Sequence, residues 1–305
     1  MSLIDEVLSE ERRELSQLGC DLNEKNADKN YPDRYFKDYS YNLFLEMSDR
    51  HKEEYGGGSG GELNAKGKTP AKMASIRSSS AMTFNLLGND SIKLLESNML
   101  GHCAGRYRIE YEKQLETIHG IGRQQPANLD AFLGSEDGAE LIFCEMKMLE
   151  WFSRNHGKLK PAYKDENNYR HKGLYPVFMT AIESLERMSL EGMFEYYDVW
   201  QMFKHVLAIN NYMHENEGSK YGKVTLLNVV FEPGMSFMSD KAQMAYAYQG
   251  EKEHKGFECF RNALKEAGII GEGKCFDVKY VPVREFIKNF EMSDAKIRYL
   301  SRYVL

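Results

Sequence analysis

The chain has 305 residues, with 40 Lys and Arg against 46 Asp and Glu and a net charge of −6 when His is neutral. Its 42% hydrophobic and 12% aromatic content exceeds what a mostly disordered chain carries, and no apolar run approaches the roughly 18 residues that span a bilayer. Net acidity argues against a passive nucleic-acid coat protein, but not against an enzyme that meets DNA through one local basic face.

The opening residues 1–16 already carry Asp5, Glu6, Glu10, Glu11, Arg12, Arg13 and Glu14. That charge is foreign to a secretory leader. Cys20, Cys103, Cys144, Cys259 and Cys275 form no CxxC pair. Free thiols in a reducing cytoplasm are therefore expected, rather than a zinc site or a disulfide framework.

Ile4, Val7, Leu8, Leu15 and Leu18 space an apolar stripe that predicts an N-terminal helix. A second amphipathic stretch predicts helix over about 33–55, with Pro32 near its start. The run Gly56-Gly57-Gly58-Ser59-Gly60-Gly61 predicts a flexible loop. It lacks the GK[ST] ending of a phosphate-binding loop. Residues 65–85 hold no acidic side chain, but carry Lys66, Lys68, Lys72 and Arg77 among several serines, Ser79 included. Basic and hydroxyl side chains of this kind contact phosphates.

A helical region is expected at about 91–100. Alternation of aromatic or aliphatic with charged residues over 107–115 predicts a strand. A short strand at 129–133 and an apolar one at 140–148 follow, divided by a turn at 134–138 containing Asp137-Gly138. Residues 154–172 are polar and locally basic. Helices are expected at 175–187 and 196–212, a strand at 224–231, helix over 241–267, a strand at 276–281 and a short helix at 283–290.

The residues that carry chemistry are Asp130, Glu145 and Lys147. Asp130 and Glu145 flank the expected hairpin, so adjacent antiparallel strands can bring them together. Glu145 and Lys147 are two apart and share a strand face. Burying such charges costs several kcal/mol each unless they are paired or hold a metal. Two carboxylates with water make a hard-oxygen site suited to Mg²⁺ or Mn²⁺.

Asp, a turn, then Glu-x-Lys on the next strand resembles the PD-(D/E)xK, or restriction-endonuclease-like, nuclease superfamily. The expected order of elements, a helix, three antiparallel strands, a helix and a further strand, is similar to the pattern of that superfamily. Ser78-Ser79-Ser80-Ala81-Met82-Thr83-Phe84-Asn85 and Trp200-Gln201-Met202-Phe203-Lys204 are similar to a bacterial group within it. The Pro of the superfamily name is absent, with Leu129 before Asp130.

The resemblance implies that Asp130 and Glu145 ligate Mg²⁺ or Mn²⁺ and that Lys147 serves the attacking water. It implies a further acidic ligand, for which Glu112 and Glu96 are candidates, and a Gln or basic residue on the following helix, for which Gln201 and Lys204 are candidates. Lys72, Arg77, Ser79 and Lys204 are the expected DNA contacts. The implied reaction is hydrolysis of DNA to 5′-phosphate and 3′-hydroxyl ends, with a homodimer if both strands are cut.

The expected fold class is α/β: a mixed central sheet flanked by helices, with a helical N-terminal region (1–61), a nuclease core (62–240) and an α/β C-terminal extension (241–305) completing the same domain. Two other readings stand beside it: a silent DNA-binding or protein-interaction module on the same fold, and a structural partner protein using its acidic N-terminal helices.

Overall fold

Helix α1 (Leu3–Gln17) begins where the apolar stripe begins. The Ser2 side chain accepts from the Asp5 N–H, and the Asp5 carboxylate accepts from the Ser2 N–H. This reciprocal box satisfies two donors that the helix start leaves open. The computed structural model describes residues 2–20, 22–57, 61–119, 126–216 and 220–305.

The helix expected over 33–55 is confined to α2 (Asp49–Gly57). Upstream of it, Asp38 caps a single tight turn at Tyr39–Asn42. The buried Asn42 amide donates to the Met73 and Ser75 carbonyls, and the Phe36 N–H donates to Ala74 O. Short polar side chains here take backbone groups that a helix would need, and they tie the segment to residues 73–75 instead. Gly56 and Gly57 close α2, and residues 58–60 of the expected glycine loop lie outside the described residues.

Helix α3 (Ser79–Leu87) is capped by the Ser78 side chain and ends at Gly88, whose φ of 69° suits glycine. The helix expected at 91–100 is a strand followed by turns. Ile92 and Leu94 are buried with the period of two that marks β1 (Ser91–Leu94). Pairing with the long neighbouring strand decides the conformation of so short a segment.

Among the described residues six strands form one sheet in chain order: β1, β2 (Gly105–Leu115), β3 (Ala127–Ser135), β4 (Glu140–Lys147), β5 (Lys223–Val230) and β6 (Phe276–Pro282). The first three pairings are antiparallel and the last two parallel. Parallel neighbours need crossover connections. Helices α4 (Tyr175–Leu190) and α5 (Val199–Glu215) lie between β4 and β5, and α6 (Asp240–Glu266) between β5 and β6. The chain ends with the short helices α7 (Val283–Phe286) and α8 (Asp294–Tyr299).

Two apolar cores cover the two faces of the sheet. One packs Val7 and Leu15 of α1, Phe84 of α3 and Tyr299 of α8 with Ile109, Ala131 and Cys144. The other packs Phe178 of α4, Phe203 of α5 and Phe260 of α6 with Phe132, Phe143 and Leu226. Glu11 and Arg302, both fully buried, form an ion pair of 2.7 Å that fastens the two ends of the chain together. All five cysteines are free. Among the described residues no helix is long and apolar enough to cross a membrane.

Two strands change face part-way along their length. On β2, Tyr107, Ile109 and Tyr111 enter the first core, but Leu115 enters the second. On β3, Ala131 and Leu133 enter the first core, and Ala127 and Leu129 the second. Regular alternation would keep all of these on one face. The switch on β2 falls at Glu112, the one non-glycine residue with positive φ (49°) among the described residues.

Candidate active site

The β3–β4 ladder runs from Gly134↔Leu141 to Ala131↔Cys144. Beyond it, the Asp130 Oδ2 accepts from the Met146 N–H at 2.6 Å. A side-chain carboxylate thus satisfies a donor that the pleated ladder no longer meets. β4 stays paired with β5 as far as Lys147↔Val230, so β4 is held firmly on one side and parted from β3 on the other. On β2, Glu112 lies between the pairs Tyr111↔Ala131 and Lys113↔Leu129, at the level of Asp130. Glu112, Asp130 and Glu145 therefore occupy one row across three neighbouring strands.

Glu145 is only 4% exposed, so its charge must be met inside the protein. Its Oε1 lies 2.8 Å from the Lys147 Nζ and accepts from the Gln201 Nε2 at 2.8 Å. Its Oε2 lies 2.9 Å from the His205 Nε2. Lys147 also donates to the Gln201 Oε1 at 2.5 Å. Gln201 thereby bridges the two charged groups with both ends of its amide. Asp198 caps α5 by accepting from the Gln201 N–H, which fixes the first turn from which Gln201 projects. His205 is one helical turn further on and shares that face.

The electrostatics follow from this crowding. Burial pushes the Asp130 carboxyl well above the usual range, and the charges of Glu145 and Glu112 push it further. Burial, with Glu62 and Glu145 nearby, raises Glu112 to about 7. Burial also opposes the Glu145 carboxylate, but Lys147 and His205 outweigh it and hold the group below its ordinary value. Lys147 is likewise kept charged, with Glu145 and Glu150 outweighing its burial. The row holds more negative charge than its neighbours neutralise.

These groups lie in a cleft of about 720 Å³. One wall carries Glu62, Lys72, Ser79 and Ser80 from the start of α3 and the segment before it. The other carries Lys158, Lys160 and Tyr163, with Trp200 and Lys204 from α5. Of the expected DNA contacts, Lys72, Ser79 and Lys204 line the cleft, whereas Arg77 is exposed and outside its lining. Glu96 is exposed in the turn after β1, away from the row. Much of the basic stretch 154–172 is engaged in ion pairs: Arg154 with Glu195, Lys164 with Glu186, and Arg170 with Glu116 and Glu215. Lys158, Lys160 and Lys204 make no ion pair with any described residue.

Sequence reasoning passed over Glu62 and His205. The Glu62 carboxylate holds Lys72 at 3.1 Å and accepts from the Ser80 hydroxyl at 3.0 Å. No local pattern marks it, because only folding carries residue 62 to the sheet. His205 had a usable signal in its i+4 spacing from Gln201.

Among the described residues no three His, Cys, Asp or Glu side chains converge as a finished metal cage. The donor chemistry nonetheless fits a hard divalent cation. Asp130 and Glu145 offer oxygen donors, Glu112 lies at the same level on β2, and at Asp130 burial and the neighbouring carboxylates outweigh the Lys147 charge.

A family model matches residues 12–237, more than half of the chain. The chain belongs to the family described as Restriction Endonuclease associating with ARP. The matched span holds β1 to β5 and every residue of the carboxylate row, and it stops before α6. None of the curated proteins or solved structures compared with the chain matches it.

Proposed function

We propose that the protein is a metal-dependent endonuclease of the PD-(D/E)xK type that hydrolyses DNA phosphodiester bonds. The observation that carries this reading is the row Glu112, Asp130 and Glu145 with Lys147 beside it, at the point where β3 and β4 part. The order α3, β2 to β4, α5, β5 supports the same reading, with β1 and β6 as additions at the sheet edges.

Asp130 and Glu145 would hold Mg²⁺ or Mn²⁺, with Glu112 as the third carboxylate. A bound divalent ion would lower the pKa of a water and offset charge developing on the phosphate. Glu145 keeps Lys147 as an ammonium, which supports a role for Lys147 through its charge and its N–H donors rather than as a base. Gln201 holds the Lys147 ammonium against the Glu145 carboxylate, so both face the reacting group from fixed positions. Lys72, Lys204 and Ser79 line the same cleft and would meet the phosphates of the DNA.

The test is incubation of labelled single- and double-stranded DNA with the full chain, in Mg²⁺, Mn²⁺ or EDTA. Cleavage should need the metal and should be lost in Lys147→Ala, with circular dichroism confirming that the variant is folded. Absence of cleavage by the wild type in either metal, or equal cleavage by the variant, overturns the reading in favour of a silent binding module.

A further inference from the structure

We infer that Glu253 is a positioning residue of the active site, acting on the Lys147 ammonium from inside the protein rather than from the cleft. The inference rests on the nuclease reading and extends its site to α6, beyond the family-matched span. From the middle of α6 onward the buried residues are Glu253, Gly256, Phe257, Phe260, Ala263 and Leu264. That spacing places them on one helix face. Glu253 is the one charged member of this stripe and is only 2% exposed. A buried polar group costs stability unless it is hydrogen-bonded, yet the Glu253 Oε2 has no hydrogen-bond partner among the described residues. Glu253 is also absent from the lining of the cleft.

Close packing holds this part of α6 against the start of α5. The rings of Phe257 and Phe260 lie 6.0 and 5.7 Å from that of Tyr197. Gly256 permits the approach, because a Cβ there would lie 2.6 Å from the Tyr197 Cβ. Tyr197 directly precedes Asp198, the cap of the turn that carries Gln201, and Gln201 joins Lys147 to Glu145. The buried Tyr197 hydroxyl also has no partner among the described residues. Glu253 is the charge that acts on it most strongly, ahead of Asp198 and Glu145. Around Glu253 itself, Lys147 on β4 acts most strongly, followed by His254 on α6, Asp198 before α5 and Glu232 after β5. Tyr280 on β6 feels Glu253 as well. Burial outweighs Lys147 and lifts Glu253 to about 8. Near neutral pH it is therefore an uncharged acid, and the Lys147 charge acts on Glu145 and the cleft. Above pH 8 it becomes a further carboxylate near the ammonium and offsets part of the field that a phosphate would meet.

Glu253→Gln keeps the size of the side chain and removes its charge. Cleavage of labelled DNA by the full chain in Mg²⁺, followed from pH 6.5 to 9.5, should show the ratio of variant to wild-type rate rising at least threefold across that range. His254 titrates in both proteins, so the ratio isolates Glu253. A constant ratio overturns the inference while leaving the nuclease reading intact, since a purely structural loss does not follow this charge. Thermal unfolding in EDTA at pH 9.5 tests the same coupling without cleavage. Glu253→Gln should raise the midpoint by about 2 °C more in a Lys147→Met background than in wild type, because the cation that offsets the buried carboxylate is gone. Equal gains in the two backgrounds overturn the inference. If the wild type cuts nothing, the nuclease reading fails, and the unfolding comparison alone decides: a larger gain in the Lys147→Met background supports the coupling, and equal gains overturn it.

Discussion

Asp130→Asn should make the metal-free protein more stable while abolishing its affinity for Mn²⁺. In the native fold Asp130 is raised well above its ordinary value, first by burial and then by Glu145 and Glu112. A carboxyl with a raised folded value destabilises the fold at every pH above its unfolded value, because the unfolded chain ionises more readily. Each unit of that difference corresponds to about 1.4 kcal/mol. The amide carries no charge, and its oxygen can still accept from the Met146 N–H, the bond that Asp130 now makes. The expected gain is about 1–3 kcal/mol near pH 8. In a chain this long, each kcal/mol moves the unfolding midpoint by about 2 °C. The gain should shrink as the pH falls towards 4, where the unfolded chain also begins to protonate Asp130. Thermal or urea unfolding in EDTA at pH 4 to 8 measures this, and calorimetric titration with Mn²⁺ measures the lost affinity. A variant less stable than wild type at pH 8 in EDTA would refute the claim that the carboxylate row is held together against repulsion.

Three further perturbations probe other parts of the fold. Glu112→Gly should be more stable than Glu112→Gln by about 1 kcal/mol, because only glycine takes a φ of 49° without strain; equal urea midpoints would show that the backbone there stores no strain. Gln201→Met removes the amide that joins Glu145 to Lys147; it should cost about 1–2 kcal/mol and slow cleavage at least tenfold, and unchanged cleavage would remove Gln201 from the site. Arg302→Met strands the fully buried Glu11 and should cost about 3–5 kcal/mol. Burial outweighs Arg302 and already lifts Glu11 to about 7, so the loss should be larger at pH 8 than at pH 5, where the carboxyl is neutral. A loss independent of pH would show that lost packing, not charge, sets the cost.

Local patterns made much of the architecture legible. The alternation over 107–115 becomes β2, and the Asp137-Gly138 turn joins β3 to β4. The apolar runs at 224–231 and 276–281 become β5 and β6, and the N-terminal stripe becomes α1. Segments without a strong period were misread. Residues 91–94 became a strand because β2 was there to pair with, and 33–48 stayed irregular because Asp38 and Asn42 took backbone partners. For the site, Glu-x-Lys spacing and the hairpin sufficed to bring Asp130, Glu145 and Lys147 together. Their partners were less visible: His205 and Glu62 reach the cleft only when α5 and the segment before α3 dock on the sheet.

By itself the sequence determined which residues could carry charge into an apolar strand, and that Glu145 and Lys147 must share its face, since strand geometry alternates every second residue. It also determined that a turn would return β4 beside β3. Tertiary structure decided the rest. It parted β3 from β4 beyond Ala131 and Cys144, and it turned Glu112 into the left-handed region at the level of Asp130 and Glu145 on the neighbouring strands. It brought lysines from separate segments to the lining of the cleft that holds this row. Depth, repulsion and access are properties of groups distant in sequence, and only the packed chain brings them within reach of each other.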